Sequence, residues 1–441
     1  MTIGKKHVKP SKSLIHKTTH LMHDGMDGHA FGDFEMPPAL GDARWTDELI
    51  LSTWYMSATG KVPDDMNYKT GDSDGGFDKL DFKYLEEKEW LSQDNDIDTS
   101  IQLNRRGDER AKLAPPIPIY GGGMSYGSVS VNVMLARAHN AKNWGTYMST
   151  GEGGYPEELY DLKDHVITQV ATGYFGVEER SIQVAPIVEF KYAQGAKPGL
   201  GGHLLASKAG EEVAKMRGSV PFVSLFSPFP FHSTYSVEDH SKHIDWIQTI
   251  NPDALISVKV STPHDVDMVA VGSHYAGAHI IHLDGGFGGT GAAPEIAKKN
   301  IAMPIELAIP KVHKFLIKEG IRDKVTLIAS GGIRTPDDIA KAIALGADGT
   351  VLGTSDLVAM GCTRCSNCEG GPSGRGCPWG LTTTDVELQE WVQLEWAVKR
   401  LDNYYTAVQW RLQDILRKLG LSDVKELVGR TDLLRYMAGE K

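Results

Sequence analysis

All four cysteines of this 441-residue chain fall within one short stretch, in the order Cys362-x2-Cys365-x2-Cys368-x8-Cys377-Pro378. A disulfide scaffold would spread them along the chain, so the clustering indicates a ligand site and a reducing compartment. C-x2-C-x2-C with a further Cys-Pro resembles iron–sulfur ligation, in which thiolates hold the iron. Zinc is the competing metal, although structural zinc sites usually place two pairs farther apart.

Other residues have types and spacings suited to an anionic ligand. Lys259 lies inside the strand-like SVKVS; a lysine in a buried strand is costly unless it has a charge to meet. It could meet the negative charge of a reduced isoalloxazine ring, or a structural carboxylate. The stretch KYAQGAKPGLGGHL places Lys191, Gln194 and Lys197 on a glycine-rich cationic loop suited to a dicarboxylate, or simply to the surface. Gly331–Gly332 and Gly353–Thr354 each follow an apolar run. Paired turns of this kind after the last two strands of a barrel commonly cradle a phosphate. GFGGTG at 286–291, with Gly288 and Gly289, matches G-x-G-x-x-G. It comes too late in the chain to open a dinucleotide domain, and is read as a close backbone approach to a flavin or its substrate.

These residues need elements to position them. From about residue 115, short apolar runs alternate with helical patterns: PIPIYGGGMS then NVMLARAHNAKNWG, VPFVSLFS then VEDHSKHIDWIQTI, ALISVKVS, HIIHLDGG, VTLIASGG then DDIAKAIALG, and GTVLGTS. That alternation predicts a parallel sheet, and its length suits an α/β fold of the (β/α)8 TIM-barrel type. The reading divides the chain into an N-terminal wrap (1–114), the barrel (115–361), the cysteine loop (362–384) and a C-terminal helical segment (385–441). In the last, Val, Leu and Trp recur at helical spacing up to the stop signal Gly420.

Net charge is −11, which argues against a nucleic-acid partner. No apolar run approaches the roughly 18 residues of a membrane helix, so no membrane role is expected. The basic start lacks an apolar core and is not a secretory signal. A cytoplasmic location is therefore expected. His7, His16, His20, His23 and His29 in that start match no metal-site spacing.

Taken together, GGGMSYGSVS (121–130), TGEGG (150–154), TQVATGYFGV (168–177), FKYAQGAKPGLGGHL (190–204), SVKVS (257–261), DGGFGGTGAAP (284–294), SGGIRTPDDI (330–339), GTSDLVAMGC (353–362) and GRTDLL (429–434) resemble the FMN-binding synthase domain of glutamate synthases. The resemblance implies FMN at the C-terminal face of the barrel, lined by Met124, Ser125, Gln169, Lys259, Gly331, Gly332, Gly353 and Thr354. It implies a dicarboxylate or imine pocket of Glu152, Lys191, Gln194 and Lys197. Its usual cluster has three cysteines; Cys365 is extra here, and a fourth thiolate would favour 4Fe–4S over 3Fe–4S. Ser330 replaces the family's Asp.

Larger members carry a glutaminase with an N-terminal cysteine, and this chain starts Met1-Thr2. With no nicotinamide site recognised either, the resemblance implies a hetero-oligomer with an amidotransferase-like subunit and further synthase subunits. Within the family the chain is most similar to the type that makes N-methylglutamate from glutamate and methylamine through a 2-oxoglutarate-derived imine. The alternatives are ammonia-dependent amination of 2-oxoglutarate and a non-catalytic electron-transfer subunit. An inosinate-dehydrogenase-like enzyme would need a nucleophilic cysteine in a barrel loop, and none exists outside 362–377.

Overall fold

The computed structural model describes residues 41–437 apart from 291–292, 294–296, 299 and 369–375. The five N-terminal histidines and most of the loop before Cys377 lie outside the described residues. Eight parallel strands close into a barrel in sequential order: β1 (Ile119–Gly121), β2 (Met148–Ser149), β3 (Val166–Ala171), β4 (Ile187–Lys191), β5 (Leu255–Ser261), β6 (Ile280–Asp284), β7 (Thr326–Ser330) and β8 (Gly349–Leu352). Most strand residues are Val, Ile, Leu or Ala and are buried, as strands covered on both faces must be.

Besides two short helices at Glu211–Arg217 and Val386–Gln389, the helices of the described residues are α1 (Asp47–Thr59), α2 (Val131–Asn143), α3 (Glu179–Val184), α4 (Val237–Ile250), α5 (Val266–Ala276), α6 (Ile305–Lys318), α7 (Pro336–Leu345), α8 (Thr354–Ala359) and α9 (Leu394–Lys418). Local chemistry sets their starts. Ser130 caps α2 by accepting from the Val133 amide. Thr335 caps α7 by accepting from Asp338, with Pro336 in the first helical turn.

Leu401, Tyr404, Tyr405, Val408, Leu412 and Ile415 form the buried stripe of α9, at helical spacing. That stripe packs between α2 and α7, so α9 takes the remaining place in the outer ring, and α1 packs on it. Arg411 fixes the α9–α7 contact through Asp337 at 2.8 Å. The N-terminal stretch seals the other end of the barrel: Thr326, the first residue of β7, donates to the carbonyls of Gln102 and Leu103. Leu80–Phe82 pairs antiparallel with Leu434–Tyr436, joining the two ends of the described chain. The loops after the strands are left to build the opposite, C-terminal mouth.

Candidate active site

Strand register brings ionisable side chains to one level. Lys191 of β4 pairs in register with Lys259 of β5, and Lys259 with His282 of β6. Side chains two apart on a strand share a face, so Glu189 accompanies Lys191, Ser257 accompanies Lys259, and Asp284 accompanies His282. The result is a continuous buried network. Glu189 accepts from Gln169 (2.7 Å), Ser257 (3.1 Å) and His282 Nδ1 (2.9 Å). His282 Nε2 is 2.7 Å from Ser330 Oγ, which donates to Asp284 (2.6 Å). Asp284 also faces Lys259 Nζ at 3.6 Å and accepts from the Gly195 amide. Burial alone would push these carboxyls up. His282 and Lys259 reverse that, holding Glu189 down to about 2 and Asp284 below its ordinary value.

Above this layer opens a cavity of about 970 Å3. Its wall includes Met124, Ser125, Glu152, Lys191, Gln194, Lys197, Lys259, Gly288, Gly289, Gly331, Gly332, Gly353, Thr354 and all four cysteines. Gln169 is the exception: it stands one layer lower, bonded to Glu189 beneath the β1 loop. Lys259 meets Asp284 as well as the cavity, so its charge is shared.

On one side of the mouth, Glu152 Oε2 lies 3.4 Å from Lys191 Nζ, with both side chains nearly buried. Glu152 Oε1 is buried with no hydrogen-bond partner among the described residues. Burial raises the Glu152 carboxyl, but Lys191, then Ser227, Lys197 and Arg217, bring it below its ordinary value. A Cβ on Gly202 would lie 2.1 Å from Glu152 Oε2, so a side chain there would displace the carboxylate from this position. Arg217 donates to Ser125 Oγ and to the carbonyls of Tyr126 and Glu152. The site therefore offers several cations and one carboxylate with an oxygen that no described residue pairs, which suits an anion that also carries an N–H donor.

Across the mouth, the loops after β6, β7 and β8 converge. Gly331 and Gly332 adopt φ of 88° and 115°, and a Cβ on Gly331 would lie 2.3 Å from the Gly285 carbonyl. Their amides donate to no described residue. A Cβ on Gly289 would meet Thr354 Oγ1 at 2.6 Å, whereas one on Gly353 would enter open space. Bare amides around an open concavity suit a phosphoryl group.

The cysteine loop completes the wall. None of the four is in a disulfide, and Cys377 is buried. Burial pushes the Cys362 and Cys368 thiols up, and repulsion from neighbouring cysteines adds to it: Cys368 and Cys377 act on Cys362, and Cys377 and Cys365 on Cys368. A bound cation would reverse that preference. Among the described residues, no three His, Cys, Asp or Glu side chains stand in metal-holding geometry. Lys208 Nζ donates to the Cys368 carbonyl (3.1 Å).

Sequence reasoning missed Glu189, His282, Asp284 and Arg217. For the first three the signal was present: each is an ionisable residue in an apolar strand, the feature that singled out Lys259. Arg217 lies on a short helix, Glu211–Arg217, and carried no such mark.

A family model described as a conserved region in glutamate synthase matches residues 77–422. The archaeal-type glutamate synthase (NADPH) of Dehalococcoides mccartyi is 41% identical over 419 residues, covering 89% of this chain and 81% of that protein. The archaeal glutamate synthase (NADPH) of Archaeoglobus fulgidus is 38% identical, covering 81% and 67%. The glutamate synthase (NADPH) large chain of Azospirillum brasilense is 35% identical over 72% of this chain but only 21% of its own length. Among solved structures, a mutant flavocytochrome b2 with pyruvate bound superposes with a TM-score of 0.52 at 15% identity, covering 98% and 92%, a likeness of fold alone. The extent of the family match and the identity to these relatives show that this chain belongs to the glutamate synthase family of enzymes.

Proposed function

We propose that the chain performs the synthase step of a glutamate synthase, reducing at a bound FMN the imine formed from 2-oxoglutarate and ammonia. One observation carries this reading. Glu152, with an oxygen that no described residue pairs and a ring of Lys191, Lys197 and Arg217, shares a single cavity with a glycine cradle. The cradle fits FMN: Gly331 and Gly332 present amides that donate to no described residue, and Gly353 leaves room where a Cβ would stand. When bound and reduced with two electrons from a redox donor supplied by a partner subunit, FMN would supply the hydride that the imine carbon accepts.

The chain's own residues do the rest. Lys191 and Lys197 neutralise the two carboxylates of the substrate, which could not otherwise be buried. Gln194 donates to a carboxylate oxygen. Glu152 Oε1 accepts the N–H of the protonated imine and orients its carbon toward the cradle side. Met124 and Ser125, on the loop after β1, bound the cavity between the two sides and exclude water. Lys259, at the end of β5, adds positive charge at the base of the mouth.

The same reading assigns an iron–sulfur cluster to Cys362, Cys368 and Cys377, with Cys365 as the fourth ligand of a 4Fe–4S form and outside it in a 3Fe–4S form. The donor set supports it: four thiols, local in sequence, on the wall of the same cavity. Ammonia then comes from an amidotransferase-like subunit in a hetero-oligomer of the cytoplasm. Among the described residues, no helix is long and apolar enough to cross a membrane.

The N-methylglutamate-forming reaction uses the same imine with a methyl group on nitrogen. The relatives named above are glutamate synthases, and they favour ammonia. Purifying the chain with its co-encoded neighbours and assaying glutamine plus 2-oxoglutarate against glutamate plus methylamine separates the two. A purified chain that releases no FMN on denaturation would overturn the proposal.

A further inference from the structure

We propose that Arg364, on the cysteine loop, binds the phosphoryl group of the flavin, so that one residue ties the cofactor to the thiol loop; this rests on the FMN reading above. Arg364 lies between Cys362 and Cys365 and lines the cavity. Its backbone is left-handed, at φ 59°, a conformation that side chains other than glycine's rarely adopt. Its amide donates to Cys362 Sγ (3.4 Å), while its side chain reaches toward the glycine loops.

Part of the guanidinium has no acceptor among the described residues. Nη1 stands 3.7 Å from the position a Cβ on Gly289 would take, and Thr354 Oγ1 lies 2.6 Å from the same point. Nη2 pairs with Asp42 at 3.2 Å. Nε is buried and has no hydrogen-bond partner among the described residues. A buried donor left unmade is costly, and the cost falls when an acceptor arrives. A phosphoryl group supplies several acceptors and matches the planar fork of an arginine.

A second arginine backs the same cradle. Asp42 also accepts from the Arg44 amide (2.9 Å). Arg44 lies on the Phe287 ring, 3.7 Å from its centroid. Its buried Nη2 has no hydrogen-bond partner among the described residues and is 3.3 Å from where a Cβ on Gly332 would be. Arg334, two residues beyond the glycine pair, is the cation that sequence position alone would offer. It is committed to Asp78, Asp338 and the Arg44 carbonyl. Arg44 lies before the family-matched segment begins, so the cationic side of the cradle draws on chain outside that segment.

The test compares FMN with riboflavin, which lacks the phosphoryl group. Flavin-free full-length protein is titrated with each by fluorescence quenching, for wild type, Arg364→Met and Arg364→Lys, with iron content measured alongside. In R364M the FMN dissociation constant should rise roughly tenfold to a hundredfold, the loss of one charge-assisted contact. Riboflavin binding should stay unchanged, and R364K should fall between. If R364M is insoluble, R364K carries the comparison. An FMN constant within about twofold of wild type, or an equal weakening of FMN and riboflavin, would overturn the assignment; the second result would make Arg364 a structural residue. Wild-type protein that binds neither flavin would instead overturn the FMN reading, and this assignment with it.

Discussion

Replacing Lys191 with Met removes one of the cations that the proposed reaction assigns to a substrate carboxylate, and it does so beside an ionised glutamate. Lys191 Nζ is 3.4 Å from Glu152 Oε2, with side-chain exposures of 13% and 10%. Losing a charge-assisted contact to substrate costs about 1.5–3 kcal/mol. At 1.4 kcal/mol per decade, the KM for 2-oxoglutarate should rise roughly 10- to 150-fold. A second effect separates this from simple damage. Lys191 is the main influence lowering the Glu152 carboxyl against the pull of burial. Glu152 is ionised above its folded pKa and neutral below it, so its function is lost as pH falls through that value. Without Lys191 the folded pKa moves up, and the acid limb of the kcat/KM profile should move to higher pH. The assay is steady-state amination across the acid range, with bound FMN measured by absorbance on the same samples. FMN content should hold, because the cradle lies across the mouth. An unchanged KM and acid limb would refute the pocket, and loss of FMN with KM preserved would move Lys191 to the flavin side.

Gly331→Ala should expel the flavin and lower the thermal midpoint, because its Cβ would lie 2.3 Å from the Gly285 carbonyl at φ 88°; the left-handed backbone alone costs about 1–2 kcal/mol. Gly353→Ala is its control: the Cβ meets nothing within 4 Å, so thermal unfolding should match wild type while flavin titration reports whether the cradle tolerates a methyl group. Cys365→Ser should remove iron and sulfide if Cys365 completes a 4Fe–4S cluster; an unchanged iron count and EPR signal would place it outside the coordination sphere. Asp78→Asn should cost about 1–3 kcal/mol at neutral pH, since Asp338 keeps Arg334 paired. Arg334, Ser73 and the Gly71 amide hold the Asp78 carboxyl below its ordinary value despite burial. Its stabilisation is therefore present above the unfolded pKa and lost as pH falls through the folded one. Denaturant unfolding at neutral and acid pH should show the gap between wild type and D78N closing in acid.

The barrel was legible because buried parallel strands must be apolar and must alternate with helices, but the strand reading was partial: of the six apolar runs, VPFVSLFS lies outside the barrel, its Leu225–Phe226 pairing with His203–Leu204, and the barrel strands Met148–Ser149, Val166–Ala171 and Ile187–Lys191 were not among them. The glycine turns were legible for a similar reason: a strand that ends in Gly-Gly announces a backbone that other residues cannot follow. Gln169 shows the limit. A motif places a residue near a site, yet whether its side chain reaches the ligand depends on which neighbour claims it, and here Glu189 does. Helix α9 shows another. Its buried stripe was visible, but nothing in a period of 3.6 tells which surface the stripe will cover. Arg44 and Asp42 were invisible as site residues, because their position depends on an N-terminal stretch that returns to the mouth only in three dimensions, held there by Arg334.

That return bears on how an acidic chain can favour anionic ligands. The chain carries a net charge of −11, yet its cavity wall gathers Lys191, Lys197, Lys208, Arg217, Lys259 and Arg364 against Asp42, Glu152 and Asp284. A low-dielectric concavity concentrates such a field. Cations crowded there without relief would oppose folding, and each of the three carboxylates relieves one of them: Asp42 with Arg364, Glu152 with Lys191, Asp284 with Lys259. None of these pairs is a short bidentate contact; they span 3.2, 3.4 and 3.6 Å. Loose pairs satisfy the protein alone while leaving guanidinium and ammonium donors able to turn to a better acceptor. On the proposed function, a mouth built this way would hold its own charges in pairs and gain further when a phosphoryl group or a dicarboxylate enters. The network of Glu189, His282, Ser330 and Asp284 beneath it, with its short and fully used hydrogen bonds, is the rigid floor against which those exchanges take place.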